Sequence, residues 1–292
     1  MLPEELKKSI ENTLSIQTGK VVQITETSSM GGGCINEAYS LKTNAGKYFV
    51  KYNSATAFPG MFEKEAAGVS ILVDTNTISV PKVICANTAG KLAYLLLQYI
   101  ETGKGKKDFW HNFGTLLSGL HRNTSDSFGL SHDNYIGSLV QENKQHPDFI
   151  NFFISQRLVP QIKIARNQGA LSQSDTRYFD SLFNTLNNII PIEKPALLHG
   201  DLWSGNFMVN SLGAPCIFDP AVYYGHRETD IAMTQLFGGF PVEFYHSYNE
   251  TCPMEKDWKN RTDIFNLYPL LVHVNLFGGS YAAQVLRIIR HF

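Results

Sequence analysis

The sequence predicts an α+β chain of two lobes, the first small and mainly β, the second larger and mainly helical. Three observations carry this reading. Between residues 21 and 53 apolar and polar residues alternate around glycine turns. From about residue 107 the apolar residues recur at helical spacing instead. The 292 residues, 43% of them hydrophobic, are enough chain to pack both lobes. The expected division is a β-rich lobe with a leading helix at 1–98, a linker at 99–106, and an α-rich lobe at 107–292.

The elements follow in order. Leu2, Leu6, Ile10 and Leu14 recur every four residues, which predicts an amphipathic first helix. "VVQITETSSMGGGCINEAYSLKTNAGKYFVKYN" reads as three antiparallel strands, with the second turn at Asn44–Gly46. "FPGMFEKEAAGVSILVDT" places Phe62, Ala66, Val69 and Val73 on one helical face. "PKVICANTAGKLAYLLLQYIE" reads as two further strands joined at "NTAG", which makes five strands with one inserted helix. In the second lobe, Phe109, Phe113, Leu116, Leu117 and Leu120 form a helical stripe. "DFINFFISQRLVPQIKIARNQG" and "SDTRYFDSLFNTLNNII" predict two more helices, the latter opening on a Ser–Asp cap signal. Short buried strands are expected around 197–219, and helix again over 229–290.

Composition excludes several classes of partner. The formal net charge is −1, so no global field attracts nucleic acid or anionic lipid. The strongest apolar run, "LAYLLLQYI", is too short to span a bilayer. Cys34, Cys85, Cys216 and Cys252 are scattered without a C-x-x-C pair, against zinc sites and a disulfide framework. The N-terminus is acidic where a signal peptide begins with basic residues. The reading is a cytoplasmic protein with a small, locally recognised partner, no nucleic acid and no membrane. Monomer and dimer both remain open.

The chemistry concentrates in "LLHGDLWSGNFMVNSLGAPCIFD". Asp201 and Asn206 stand five apart, and Asp219 closes the run. Phosphoryl transfer needs such a set: one carboxylate to orient a hydroxyl, and oxygen ligands that hold Mg²⁺ against phosphates. The same offset occurs in the protein-kinase catalytic loop, although an Asp capping a turn followed by a loop Asn gives the same pattern. Upstream, Lys51 lies near the end of a predicted strand, either as an edge lysine in water or as a phosphate ligand. Glu65 sits beside the apolar stripe of the next helix and is the preferred partner for Lys51, with Glu63 the alternative. Gly31, Gly32 and Gly33 form a turn whose backbone can approach phosphates, or simply a flexible hairpin. The order of the five features is the stronger signal.

Two absences narrow the acceptor. No arginine precedes Asp201, where protein kinases commonly carry one. Only ten residues separate Asp219 from Asp230, too few for a long peptide-docking segment. Both favour a small acceptor. Around it, Trp203 is either a core residue packing its loop or an aromatic platform for a sugar. Tyr223, Tyr224, His226 and Glu228 are candidates for the same pocket. His199 is read as a brace for the loop, and His121 as structural. Cys34 is either a small filler of the glycine turn or a redox-sensitive thiol.

"HGDLWSGN", "FDPAVYYGHRETDIAMTQLFGGF", "GGGCINEAY" and "FGLSHDNYIGSLVQEN" together resemble the fructosamine/ketosamine kinase family, over roughly residues 5–290. That family is related to aminoglycoside and choline kinases. The resemblance implies a protein-kinase-like two-lobed fold and ATP-dependent phosphorylation of the 3-hydroxyl of a ketosamine, leading to deglycation. It assigns Asp201 as catalytic base, Asn206 and Asp219 as Mg²⁺ ligands, and Lys51 with Glu65 as the phosphate-binding pair. Gly31, Gly32, Gly33, Cys34, Ile35 and Asn36 match the loop over the phosphates, and Gln98, Tyr99 and Ile100 the segment that reads adenine. "DPA" stands where protein kinases have Asp-Phe-Gly. The alternatives are an aminoglycoside- or choline-type phosphotransferase and a non-catalytic nucleotide-binding regulator.

Overall fold

The computed structural model describes residues 1–31 and 35–292, which form two compact units. The first comprises Met1–Gly105 and Met208–Phe218; the second comprises Lys106–Phe207 and Asp219–Phe292. No helix among the described residues is long and apolar enough to cross a membrane.

In the first unit, helix α1 (Glu4–Thr18) precedes strands β1 (Ile24–Ser29), β2 (Glu37–Thr43) and β3 (Gly46–Ser54). Helix α2 (Met61–Asp74) and strands β4 (Val83–Ala89) and β5 (Leu92–Gln98) follow. The five strands form one antiparallel sheet in the order β1-β2-β3-β5-β4. Period-2 alternation sends Tyr94 and Leu96 of β5 to one face and Leu95 and Leu97 to the other. Leu6, Ile10 and Leu14 of α1 pack with the first pair, and Phe62 of α2 with the second. The run "LAYLLL" is therefore apolar throughout because this central strand is covered on both faces, and the strand ends on the exposed Gln98.

Residues 208–218 differ from the expected division, which placed them in the second lobe. They join the first unit because Ile217 N–H donates to Ser79 O at 3.0 Å and Gly103 N–H donates to Val209 O at 3.0 Å. Their hairpin, built on β9 (Phe207–Val209) and β10 (Pro215–Ile217), turns where Asn210 Oδ1 accepts from the amides of Leu212 and Ala214. The side chain reinforces the backbone pairs of this turn, in which Gly213 N–H donates to Asn210 O and Asn210 N–H to Ala214 O, both at 2.9 Å.

The second unit is mainly helical. Helix α3 (Phe109–His121) crosses α8 (Val242–Thr251) so closely that Gly114 faces the Phe244 carbonyl. Hairpin β6 (Asn134–Ile136) and β7 (Leu139–Gln141) leads to α4 (Phe149–Phe152), a π-helical turn at Phe153–Leu158, and α5 (Val159–Asn167). Helix α6 (Gln173–Ile189) starts two residues earlier than the "SD" at Ser174–Asp175 suggests. Its cap is Ser172, which forms a reciprocal capping box with Asp175. Strand β8 (Ala196–Leu198) pairs with β11 (Tyr223–Gly225), and α7 (Glu228–Leu236), α9 (Trp258–Phe277) and α10 (Tyr281–Ile289) complete the unit. Helix α9 is buried on most sides, from Ile264 to Val274.

A polar network under β11 gives the motif "HDNYIGSLVQEN" its structural reason. Asn134 Nδ2 donates to Val222 O and Gln141 Nε2 to Ala221 O, while Tyr268 Oη donates to Gln141 Oε1. Arg157, carried by the π-helical turn, is wholly buried. Its guanidinium donates to Asn143 Oδ1 and to the Glu142 carbonyl and lies 3.9 Å over the Tyr223 ring. Aromatic faces and amide oxygens replace the water that a buried guanidinium loses.

A Cβ added at Gly114 would lie 2.2 Å from the Phe244 carbonyl oxygen, and backbone cannot swing aside. Gly114→Ala is expected to destabilise the protein by about 1–3 kcal/mol. Urea unfolding at neutral pH measures this, and an unchanged midpoint would contradict the α3–α8 contact.

Candidate active site

In the first unit, Lys51 occupies the centre of β3, opposite Ala38 on β2 and Leu95 on β5. It is 5% exposed, and its Nζ lies 2.5 Å from Glu65 Oε1. Glu65 falls between Phe62 and Val69 on the buried side of α2, so the apolar stripe delivers it to the sheet face where Lys51 emerges. Glu63 is exposed. A lysine buried in a sheet is stable when a carboxylate neutralises it at this range.

Of the residues between β1 and β2, Gly31 and Ile35 are described, and Asn36 Oδ1 accepts from Asn53 Nδ2 at 2.9 Å. Gly32, Gly33 and Cys34 lie outside the described residues. At the other end of the unit, Gln98 N–H donates to Lys82 O. Gln98, Tyr99 and Ile100 border a cavity of about 610 Å³ walled also by Asn76–Val80 and Asn210–Leu212. Neither Lys51 nor Glu65 lines it.

In the second unit the loop after β8 is set by one carboxylate. Asp230, in the first turn of α7, accepts from His199 N–H at 2.8 Å and Gly200 N–H at 2.9 Å. His121 Nε2 meets the same carboxylate at 3.2 Å, and Tyr248 Oη lies 2.7 Å from His121 Nδ1. Burial alone would push Asp230 upward, but His121, His199 and the Gly200 amide outweigh it and hold it below the usual carboxylate range. Gly200 has φ +84°, and a Cβ there would come within 2.1 Å of Ala221 O. That close approach is why glycine precedes Asp201.

Asp201 and Asn206 are brought together. Asn206 Nδ2 donates to Asp201 O at 2.8 Å and to Asp201 Oδ2 at 3.0 Å. With both donors on Asp201, the Asn206 carbonyl oxygen is the group left to coordinate a cation. The Asp201 carboxyl rises to about 7, first through desolvation and then through the charges of Asp219 and Asp230, against the Asn206 hydrogen bond. Asp219 is exposed and has φ +54°, a left-handed conformation that Asp tolerates better than most residues. Hard oxygen donors beside mutually repelling carboxylates suit Mg²⁺.

Three of the predicted substrate residues are elsewhere. Tyr223 is 1% exposed beneath Arg157, and His226 and Glu228 are 0% and 2% exposed. Glu228 is held bidentately by Arg261 at 2.5 and 2.8 Å, and Glu193 by Arg227 at 2.7 and 2.8 Å. His226 donates Nε2–H to Pro191 O and accepts at Nδ1 from Glu228 N–H. Glu193, His226 and Glu228 bring ligand atoms within 4.8 Å of one another, but the two arginines already neutralise the carboxylates. The pattern of charged residues near Asp219 suggested a pocket; ion pairing instead buries them. Tyr224 is half-buried. Trp203 is half-buried too, meets Phe237 edge-on at 5.7 Å, and covers Gly205. Sequence reasoning also missed Asp230 as the loop's anchor, since its partners lie 30 and 109 residues away.

The fold is that of kinase-like phosphotransferases: a thermostable mutant of aminoglycoside phosphotransferase APH(4)-Ia superposes with a TM-score of 0.62 at 13% identity, over 96% of this chain and 98% of that one. Within that class the assignment is narrower. The chain belongs to the fructosamine kinase family, whose model matches residues 6–292. A "Probable ketoamine kinase" of Synechocystis is 39% identical over 97% of this chain and 95% of its own. The chloroplastic protein-ribulosamine 3-kinase of Arabidopsis thaliana is 38% identical over 93% of this chain and 83% of its own. A crystal structure of a candidate fructosamine-3-kinase from Haemophilus somnus gives a TM-score of 0.88 at 30% identity, covering 97% of this chain and 96% of that one.

Burial lowers the His226 imidazole to about 4, against the pull of Glu193 and the Pro191 carbonyl. Protonation is then easier in the unfolded chain, whose histidine titrates near 6.5. Stability is full above about 6.5 and is lost as pH falls towards 4, by about 3 kcal/mol in total from this group. Urea unfolding between pH 7 and 4 should show the decline in the parent and a shallower one in His226→Gln.

Proposed function

We propose that the chain is a ketosamine 3-kinase, transferring the γ-phosphoryl of ATP to the 3-hydroxyl of ribulosamine or fructosamine adducts on amines or protein lysines. The unstable phosphate product then frees the amine, which makes the reaction a deglycation. The observation that carries this reading is the Asp201–Asn206 pair, with a carboxyl poised near neutrality, in a chain of the fructosamine kinase family. The relatives named for ketoamines and ribulosamines support the choice of acceptor. A cytosolic setting fits the scattered cysteines.

Asp201 orients the attacking hydroxyl and takes its proton at Oδ as the bond to phosphorus forms. Asn206 fixes the direction of that carboxylate through its amide hydrogens. The Asn206 carbonyl oxygen and the Asp219 carboxylate would hold Mg²⁺, which when bound offsets charge on the phosphates. Lys51, oriented by Glu65, is the cation for the phosphate oxygens, and the stretch 31–36 is assigned to the same phosphates. Gln98–Ile100 is the segment assigned to adenine. Asp201 acts as base in its ionised form, which is favoured wherever the charge of Asp219 beside it is offset.

Asp201→Ala should lose about 10²–10⁴-fold in kcat while retaining nucleotide affinity. Lys51→Ala should raise the KM for ATP instead. Steady-state kinetics on ribulosamines, fructosamines and aminoglycosides test the assignment. Near-normal turnover by Asp201→Ala, or turnover of aminoglycosides alone, would overturn it.

A further inference from the structure

The tetrapeptide Leu-Phe-Gly-Gly occurs twice, at 236–239 and 276–279, and each copy ends a helix. The phenylalanines flank one histidine: Phe237 lies 4.8 Å from the His273 ring and Phe277 lies 5.4 Å from it. Tyr281 lies 5.0 Å from His273 on another side. The strip begins at the catalytic loop, where Trp203 meets Phe237 and Ser204 Oγ donates to Phe237 O at 3.2 Å.

This aromatic row differs from the packing core beside it. Phe113 and Phe244 are wholly buried, whereas Phe277 is 49% exposed and Phe237, His273 and Tyr281 keep partial exposure. A Cβ on any of the four glycines would meet no described atom within 4 Å, so the ground around both phenylalanines is open. His273 donates Nδ1–H to Pro269 O, which makes Nε2 the acceptor of a neutral ring. Burial lowers that imidazole and keeps it neutral.

We propose that Phe237, His273, Phe277 and Tyr281 seat the N-substituent of the ketosamine, and select amines that carry an alkyl or aromatic chain. The inference rests on the ketosamine 3-kinase reading. With the 3-hydroxyl at Asp201 and the sugar's apolar face near Trp203, the amine leaves the sugar within a few bonds of the hydroxyl. Phe237, at the end of α7, is the next ring beyond Trp203. A protonated secondary amine is attracted by ring faces and can donate to His273 Nε2. The chain beyond it lies along Phe277 and Tyr281 and loses apolar surface to water.

The test compares ribulosamines whose amine bears a methyl, a butyl or a phenethyl group, using kcat/KM for each. Each buried methylene should raise kcat/KM by about two- to four-fold in the parent, and phenethyl by more. The readout in Phe277→Ala and, separately, Tyr281→Ala is the ratio of phenethyl to methyl within that variant, so a general loss of folding or turnover cancels. The ratio should fall towards one in both. A parent ratio near one overturns the proposal, as does a high ratio that survives in both variants. Failure to phosphorylate any ribulosamine overturns the functional reading itself, and the seat with it; phosphorylation without a chain effect overturns the seat alone.

Discussion

The carboxylate of Asp230 governs the arrangement of the second unit's chemistry. Two consecutive backbone amides, from His199 and Gly200, converge on its two oxygens, and His121 binds one of them from α3. Consecutive amides held this way fix the peptide plane ahead of Asp201, so the loop that carries Asp201 inherits its direction from a helix. The placement in the first turn of α7 also favours negative charge. The same charge contributes to the rise of the Asp201 carboxyl. One buried group thus supplies both the posture of the loop and part of its acid–base character.

The segment after Asp219 has the character of an internal strut. From Pro220 to Asp230 every residue except Tyr224 is buried. Arg157 packs on Tyr223, Arg227 clasps Glu193, and Arg261 clasps Glu228. Such pairs add less net stability than their Coulomb energy suggests, because each ion is first removed from water. Their stronger effect is on uniqueness: bidentate geometry admits one register of the segment, and a shifted register leaves charges unpaired. Asp219, at the start of the segment, is exposed and has a left-handed backbone, and the residue after it is already buried.

Much of the first unit was legible because its signals are local. Alternation located the strands, the stripe of Phe62, Ala66 and Val69 selected Glu65 over Glu63, and Lys51 followed from its strand. Asp201 and Asn206 were legible as a spacing, and their hydrogen bonds satisfy it. The hub at Asp230 was not, since nothing in "RETD" distinguishes a carboxylate that caps its own helix from one that holds a distant loop. His226 and Glu228 were misread for a related reason. Charged residues read as surface or pocket until their partners are known, and Glu193 and Arg261 are 33 or more residues away. Arg157 escaped notice because its partners are ring faces and carbonyls, which leave no charge pattern in the sequence.

The first unit is discontinuous in the chain, with a piece at 208–218 that bonds to Ser79 and Gly103. This has a consequence for the newborn protein. Synthesis runs from the N-terminus, so the five-stranded sheet leaves the ribosome long before its last segment exists. Between the two events about a hundred residues of the other unit must be made. The nascent sheet waits over that interval with the 76–82 connection and the 99–105 segment uncovered. A ribosome that paused before residue 208 would hold a unit able to form its five strands yet lacking the hairpin that bonds to Ser79 and Gly103.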